Sequence, residues 1–152
     1  MKKFLVGLPI VLAVAFAFIY WQNAQAPELG VVDGKLKPTG SKPNSVSSQT
    51  GDESKRVAAL PLKASLDATR TAILAAINNY GGAEIVVDQP HYLYAVFTTP
   101  LMKYHDDAEF YIDTTASQVH FRSSSRAGYS DRGLNRQRYE ALAEFYNKWP
   151  KN

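Results

Sequence analysis

Two stretches of alternating apolar and polar residues constrain the fold of this chain more than any other feature. They are AEFYID at 108–113 and QVHFR at 118–122. Because side chains alternate between the two faces of a strand, the apolar residues of both stretches must share one core face, and a slip of one residue would break that match. A tight turn at Thr115–Ala116 then sets Phe110 opposite Phe121. The other predicted pairs are Ile112 with Val119, Glu109 with Arg122 and Tyr111 with His120.

The segment before this hairpin predicts a short strand and a helix. RVAALPL at 56–62 indicates a strand that Pro61 confines to a sheet edge, since proline cannot donate to a central ladder. The helix begins after Ser65 as its N-cap and stops at Gly81. Its predicted apolar stripe is Leu66, Ile73, Ile77 and Tyr80.

Further strands and a last helix complete the predicted fold. The strands are Ala83–Asp88, Tyr92–Thr99, Asp106–Asp113 and Gln118–Ser123. The last helix, over about 132–149, is expected to bury Leu142, Phe145 and Trp149, with Pro150 just beyond it. The order is β-α-β-β-β-β-α, and consecutive short strands joined by short turns form an antiparallel sheet. The sequence therefore predicts an α+β fold with helices packed on one face of an antiparallel sheet.

The amino terminus is apolar on every side and predicts a membrane-spanning helix. Lys2 and Lys3 precede an uncharged run from Phe4 to Trp21, which as a helix is about 27 Å long, enough to cross a hydrocarbon core. Tyr20 and Trp21 suit the far interface, and the two lysines should stay in the cytoplasm. The rest of the chain is then anchored to the membrane on the periplasmic side.

A cleaved signal peptide is the competing interpretation of this run. AQA at 24–26 supplies the small residues of a cleavage site, although the ring of Pro27 fits poorly after the scissile bond. Cleavage near Ala26 would leave a secreted or periplasmic domain instead of an anchored one. Under either interpretation the domain is exported from the cytoplasm.

Composition divides the chain into three parts. Residues 1–22 are the predicted anchor or signal peptide, residues 23–42 a flexible linker rich in Pro, Gly and Lys, and residues 43–152 a single α+β domain. Residues 55–152 carry twelve Lys and Arg against ten Asp and Glu, a difference of +2. This charge is too small for a protein that neutralises several phosphates of a nucleic acid, so no nucleic acid partner is predicted.

Several classes of chemistry are excluded by the sequence. The chain has no cysteine, which rules out disulfides, thiolate nucleophiles, cysteine metal sites and a lipid-modified cysteine. No phosphate loop, dinucleotide fingerprint or zinc spacing is present, so neither a metal nor a cofactor is predicted. The aromatic residues of the strands, including Tyr92 and Tyr94, are expected to pack in the core.

Three segments resemble the bacterial and plant family called domain of unknown function 1499. They are PNSVSS at 43–48, HDDAEFYID at 105–113 and RSSSRAGYSDRGLNRQR at 122–138. The resemblance covers residues 43 to about 147, with departures at Ser45, where many members have cysteine, and Tyr104, where phenylalanine is usual. It implies a compact α+β domain, often associated with the cell envelope, and no known activity. The motif positions that it marks as candidate site residues are Asn44, Asp106, Asp107, Glu109, Arg122, Ser124, Arg126, Asp131, Asn135 and Arg138.

The last of these segments admits two hypotheses, an anion site and a structural latch. In an anion site, Arg122 and Arg126 offer forked donors beside the free N–H groups of the helix that begins near Arg132. In a latch, Asp131 caps that helix and the arginines pair with the carboxylates of the neighbouring strand. An Asp106–Arg126 pair sealed from solvent is the pairing that we expect of a latch.

Two functions remain open from the sequence. The first is a non-catalytic binding module for an envelope protein, a lipid or a small anionic ligand. The alternative is an envelope hydrolase that uses Asp106, Asp107 and His105 as acid and base. In a strand His105 and Asp107 face one side while Asp106 faces the other, and nearby arginines would repel a cation, so metal chemistry there is disfavoured.

Overall fold

The computed structural model describes residues 2–150, with side chains from residue 8 onward, so the side chains of Lys2 and Lys3 lie outside the described part. The fold is α+β, with an antiparallel sheet and three helices. The helices are α1 (Lys2–Ala24), α2 (Leu66–Tyr80) and α3 (Leu134–Lys148). The strands are β1 (Val31–Val32), β2 (Lys35–Leu36), β3 (Ser45–Ser47), β4 (Leu60–Pro61), β5 (Ala83–Gln89), β6 (Tyr92–Thr98), β7 (His105–Asp113) and β8 (Gln118–Ser125).

The hairpin of β7 and β8 has the predicted register. Phe110 lies opposite Phe121, with ring centroids 5.0 Å apart, and Glu109 lies opposite Arg122. The two remaining pairs, Ile112 with Val119 and Tyr111 with His120, are also as predicted. Because β7 and β8 each alternate apolar and polar residues, a slip of one residue would turn the apolar set of one strand away from that of the other.

The main sheet has the order β3-β8-β7-β6-β5, and β4 also pairs with β8. β3 was not predicted, because SVS at 45–47 carries too little apolar pattern to indicate a strand. The strand predicted at 56–62 is reduced to Leu60–Pro61 and an isolated bridge between Arg56 and Ser47. Pro61 explains the short length, since it cannot donate to a ladder.

Helices α2 and α3 pack on one face of the sheet, which we call the inner face. The ring of Tyr80 in α2 contacts the ring of Phe97 edge-on, with ring centroids 5.4 Å apart. The ring centroids of Tyr139 in α3 and Phe121 lie 5.1 Å apart. The prediction that Trp149 is buried is wrong, because α3 ends one residue before it and leaves it 37% exposed.

The boundaries of α2 follow its capping residues. The Ser65 hydroxyl accepts a hydrogen bond from the N–H of Ala68 at 3.1 Å, as the N-cap assignment predicted. At the other end Gly81, with φ of 79°, donates its N–H to the carbonyl of Ile77 at 2.9 Å. A left-handed residue at this position favours glycine, which is why the helix stops there.

The opposite face of the sheet, the outer face, is covered by the amino-terminal part of the chain. Strands β1 and β2 form a two-stranded hairpin, and Asn23 and Leu36 are buried. The domain boundaries predicted from composition stay a prediction, although this hairpin lies within the predicted linker. Within residues 2–150 no helix is both long and apolar enough to cross a membrane, so the predicted span is not confirmed.

Candidate anion-binding site

A cluster of buried charged residues lies on the outer face of the sheet. Asp107 and Glu109 alternate with the core residues of β7, and Arg122 alternates with those of β8. All three are almost fully buried, with Glu109 at 0%, Asp107 at 2% and Arg122 at 6% exposure. Buried charges are costly unless they are paired and hydrogen-bonded, so the arrangement of partners decides what this face can do.

The first unit of this cluster joins a tyrosine, a carboxylate and an arginine across three strands. The Tyr92 hydroxyl donates to Glu109 Oε1 at 2.8 Å, and Arg122 Nη1 donates to Glu109 Oε2 at 2.9 Å. Burial raises the pKa of Tyr92, and the neighbouring Glu109 carboxylate raises it further. Tyr92 therefore stays a neutral donor well into the alkaline range.

A second unit repeats this chemistry one step along the sheet. Arg126 holds Asp107 with a fork, its Nη2 lying 2.7 Å from Oδ1 and its Nε 3.0 Å from Oδ2. The Tyr94 hydroxyl also donates to Asp107, and burial together with this bond raises the pKa of Tyr94 to about 12. The hydrogen bond to Asp107 likewise raises the pKa of Arg126, so its guanidinium stays charged.

The amino-terminal segment seals this face through a few specific contacts. The side chain of Asn23 donates to the carbonyl of Lys103 at 2.8 Å and accepts from the N–H of His105 at 2.7 Å. Further along, the N–H of Gly30 donates to Glu109 Oε1 at 3.1 Å. Because Asn23 binds the backbone where β7 begins, the end of α1 has a fixed position over the sheet.

A cavity of about 400 Å³ remains between the end of α1 and the sheet, and we call it the Arg122 cavity. Trp21 and Gln22 at the end of α1 form its helical wall together with Gln25 just beyond the helix, while Arg122 and Ser124 belong to its floor. Ala26, Pro27, Asp107, Ser125 and Arg126 complete the lining.

Most N–H donors of the Arg122 side chain form no hydrogen bond with the described residues. Among the described residues this side chain donates one hydrogen bond, through Nη1 to Glu109, and its buried Nε has no partner. By contrast, Arg126 engages both carboxylate oxygens of Asp107. An arginine presents five N–H donors, so Arg122 retains unused donor capacity at the wall of a cavity.

A separate polar network lies on the inner face, between the sheet and α3. Arg138 donates to Asp106 at 2.7 Å and to Asn135 at 2.9 Å, and its guanidinium lies 4.7 Å from the ring centroid of Phe97. Asn135 is fully buried and also accepts from the hydroxyl of Ser123. The Nε of Arg138 also lacks a partner in the part of the chain that the structure describes, but Arg138 lies over an aromatic ring and does not line the Arg122 cavity.

The carboxylate of Asp131 occupies the donors at the start of α3. It accepts from the N–H of Gly133 at 3.1 Å and from the N–H of Asn135 at 2.8 Å. The predicted capping role of Asp131 therefore has a geometric basis. The same contacts mean that these N–H groups are not free donors for an anion beside Arg122.

The sequence profile of a family described as protein of unknown function (DUF1499) matches residues 35–145. The chain belongs to this family. No curated protein and no solved structure matches it. The DUF1499 match contains all ten motif residues and the floor of the Arg122 cavity, whereas the helical wall around Trp21 precedes the matched region.

The DUF1499 motif residues are divided between the two faces of the sheet. On the outer face lie Asp107, Glu109, Arg122, Ser124 and Arg126. The inner network contains Asn44, Asp106, Asp131, Asn135 and Arg138. The predicted Asp106–Arg126 pair is wrong: Asp106 pairs with Arg138, because odd and even positions of β7 face opposite sides.

The cluster predicted for a hydrolase does not converge in the DUF1499 fold. Asp106 lies on the inner face, while Asp107 and His105 are both beside Arg126, whose Nη1 is 3.3 Å from His105 Nδ1. Across the described residues, no group of three or more His, Cys, Asp or Glu could hold a metal ion.

Tyr92 and Tyr94 are site residues that the sequence interpretation placed in the core. Their hydroxyls instead bind the two outer-face carboxylates. The signal that would have found them is alternation in β6, since Tyr92, Tyr94 and Val96 share the face opposite to Leu93, Ala95 and Phe97. Trp21 and Gln25 were assigned to an anchor or linker, and their spacing gives no sign that they line a cavity.

Proposed function

We propose that this protein is a non-catalytic binding module that takes an anionic group into the Arg122 cavity. The observation that supports the proposal is the side chain of Arg122, which lines the cavity. Among the described residues it makes one hydrogen bond, through Nη1 to Glu109, and its buried Nε has no partner. A buried donor left unsatisfied costs about 1–3 kcal/mol, and more when the group is charged. An oxyanion is the ligand chemistry that best satisfies a guanidinium.

The other walls of the cavity suit the same ligand. Ser124 has a hydroxyl with no hydrogen bond to the described residues, and Gln22 and Gln25 bring amide groups to the opposite wall. Uncharged donors of this kind can form hydrogen bonds with an anion and fix its orientation without adding charge to the site. The lining thus combines uncharged donors with Arg122, beside the paired charges of Arg126 and Asp107.

Hydrolysis is the weaker proposal because its candidate groups are already engaged. Asp107 accepts from Arg126 and Tyr94, and Asp106 accepts from Arg138 on the other side of the sheet. A general base must be within hydrogen-bond reach of the proton that it takes up, and oxygens of both carboxylates are already occupied by donors of the protein.

We further propose that α1 associates with a membrane and that the domain lies outside the cytoplasm. Residues of α1 on every side are apolar and exposed, including Leu8 at 64%, Val14 at 65% and Phe16 at 49%. Large apolar surfaces of this kind mark contact with lipid or protein. A reporter that folds only in the cytoplasm, fused after Asn152, should give no signal, and strong signal would overturn this localisation.

Thermal unfolding of the full chain with millimolar inorganic phosphate tests the anion site. Phosphate should raise the Tm of the wild type, because a ligand that binds only the folded state stabilises it. Arg122→Lys keeps a charge beside Glu109 but removes the forked donors, and Ser124→Leu fills the cavity without altering any charge pair. Both variants should lose most of the phosphate response.

Matched controls separate this effect from a general loss of stability. Arg56→Lys makes the same change, and Thr71→Leu a similar hydroxyl-to-leucine change, at exposed positions that do not line the cavity, and both should respond like the wild type. A phosphate response that is equal in Ser124→Leu and the wild type, or absent from the wild type, would contradict the proposed function.

A further inference from the structure

The charges around the Arg122 cavity cancel. Arg122 and Arg126 contribute two positive charges, and Asp107 and Glu109 contribute two negative charges, so the sum is zero. A free oxyanion would gain directed hydrogen bonds there but little attraction from net charge. Tight binding therefore requires a second contribution from another part of the ligand.

An apolar track that begins at the cavity can supply that contribution. Trp21 and Gln25 line the cavity, and Phe18, Val14 and Val11 precede them at the i, i+3, i+7 spacing that keeps residues on one face of a helix. Trp21 stacks on Phe18 with ring centroids 5.8 Å apart. From Val11 to Trp21 the track rises about 15 Å along α1.

The track has no partner among the described residues. Val11 and Val14 are each 65% exposed, Phe18 is 55% exposed and Trp21 is 59% exposed. The exposed apolar surface of α1 thus leads directly to a cavity lined by Arg122 and Ser124, and this matches a ligand with a polar head and a long apolar tail. Tryptophan at the junction is the residue that membrane proteins place between headgroups and hydrocarbon.

We propose that the ligand of the Arg122 cavity is an anionic phospholipid, with its headgroup phosphate at Arg122 and Ser124 and an acyl chain along Val11, Val14 and Phe18. The proposal rests on the proposed function, because it names the source of the anionic group. The cavity volume of about 400 Å³ is of the size that holds a small polar ligand and suits a headgroup. Because the charges around the cavity cancel, contacts of the acyl chain with α1 should contribute more to the affinity than attraction between charges does.

Trp21 provides a direct reporter of an acyl chain on this track. The chain has two tryptophans, so Trp149→Phe leaves Trp21 as the only fluorophore of this type. The full-length protein would be reconstituted in two vesicle preparations with the same mole fractions of phosphatidylglycerol and phosphatidylcholine. In one the phosphatidylglycerol carries brominated acyl chains, and in the other the phosphatidylcholine does, because bromine quenches tryptophan on contact.

The expected result is stronger quenching of Trp21 by brominated phosphatidylglycerol than by brominated phosphatidylcholine. Because the charges around the cavity cancel, the difference must come from the headgroup itself, since the cationic choline of phosphatidylcholine would lie beside Arg122 and Arg126. A fivefold difference, about the factor that one basic side chain provides, is the upper limit that we expect. Ser124→Leu should remove the preference, and Thr71→Leu should retain it. Because the total lipid charge is the same in both vesicles, general attraction of the protein to an anionic surface contributes equally to both.

The two proposals fail in different ways. Equal quenching by the two brominated lipids, together with an intact phosphate response in the thermal experiment, would overturn the lipid proposal and leave the anion site standing. Equal quenching with no phosphate response would overturn both. A preference for phosphatidylglycerol that survives in Ser124→Leu would also overturn the lipid proposal, because the enrichment would then arise outside the cavity.

Discussion

Asp106 and Asp107 are adjacent in the chain, yet their carboxylates lie on opposite faces of the sheet and are held by different arginines. Asp106 pairs with Arg138 beside α3, and Asp107 pairs with Arg126 on the outer face. Both carboxylates are at most 2% exposed. One dipeptide therefore fixes a helix on one side of the sheet and an arginine on the other.

Arg138→Met should destabilise the protein by about 3–5 kcal/mol, because it leaves the buried carboxylate of Asp106 without a counter-charge. Urea unfolding measures the loss, and the double variant Asp106→Asn with Arg138→Met should recover part of it. Arg70→Met breaks a solvent-accessible pair with Asp88 and should have far less effect. If Arg138→Met and Arg70→Met have equal effects, the inner-face pair does not stabilise the fold.

Asp131→Ala should cost about 0.5–2 kcal/mol, because two backbone N–H groups at the start of α3 lose their acceptor. The same unfolding measurement checks this value. Ser130→Ala is the neighbouring control, since that hydroxyl accepts a single exposed bond from Arg132 and its loss should be smaller. An anion response that disappears in Asp131→Ala while stability is unchanged would contradict the latch role.

Stability should fall at alkaline pH because of the buried tyrosines. The folded-state pKa of Tyr94 is raised to about 12 from an ordinary value near 10, so its contribution is complete below about pH 10 and is lost as the pH rises toward 12. Tyr94→Phe has no proton to lose, and its urea midpoint should decline less between these pH values than that of the wild type. The exposed Tyr129→Phe is the control, and equal pH slopes in all three proteins would refute the prediction.

Asn23→Ala should loosen the end of α1 over the sheet. The substitution removes both hydrogen bonds to the backbone of Lys103 and His105, and leaving buried groups unsatisfied costs about 1–3 kcal/mol. Amide hydrogen exchange of His105 should accelerate, since its N–H donates to the Asn23 side chain. Gln25→Ala removes an exposed bond from the Gln25 side chain to the carbonyl of Trp21 and should leave that exchange unchanged. Fast exchange of His105 in the wild type would instead support a flexible linker.

Strands and helices whose apolar residues recur every two or every 3.6 residues could be predicted from the sequence. The register of β7 and β8, the caps of α2 and the family follow from residue patterns that are local and strict. The missed parts depend on contacts between distant segments. β3 pairs through its backbone, and the hairpin of β1 and β2 lies in a stretch whose composition is typical of a linker.

The candidate site was predictable in its residue types but not in its pairing. The alternation of apolar and polar residues in β7 and β8 predicted that Glu109 lies opposite Arg122. The partners of Asp106 and Asp107 depend instead on the positions of α3 and of Arg126, the residue after β8. The wall formed by Trp21 and Gln25 could not be predicted, because an apolar helix carries no sign of the surface against which its end packs.

The contacts of Glu109 limit which residues can replace it. Its Oε1 accepts from the hydroxyl of Tyr92 and the N–H of Gly30, and its Oε2 accepts from Arg122, so donors approach both oxygens. Glutamine would turn an amide N–H₂ toward one of those donors, and aspartate is one methylene too short to reach all of them. In a saturation library scored for folded protein, this position should tolerate fewer substitutions than the fully buried Phe110 of the same strand, where other apolar side chains of similar volume can fill the space.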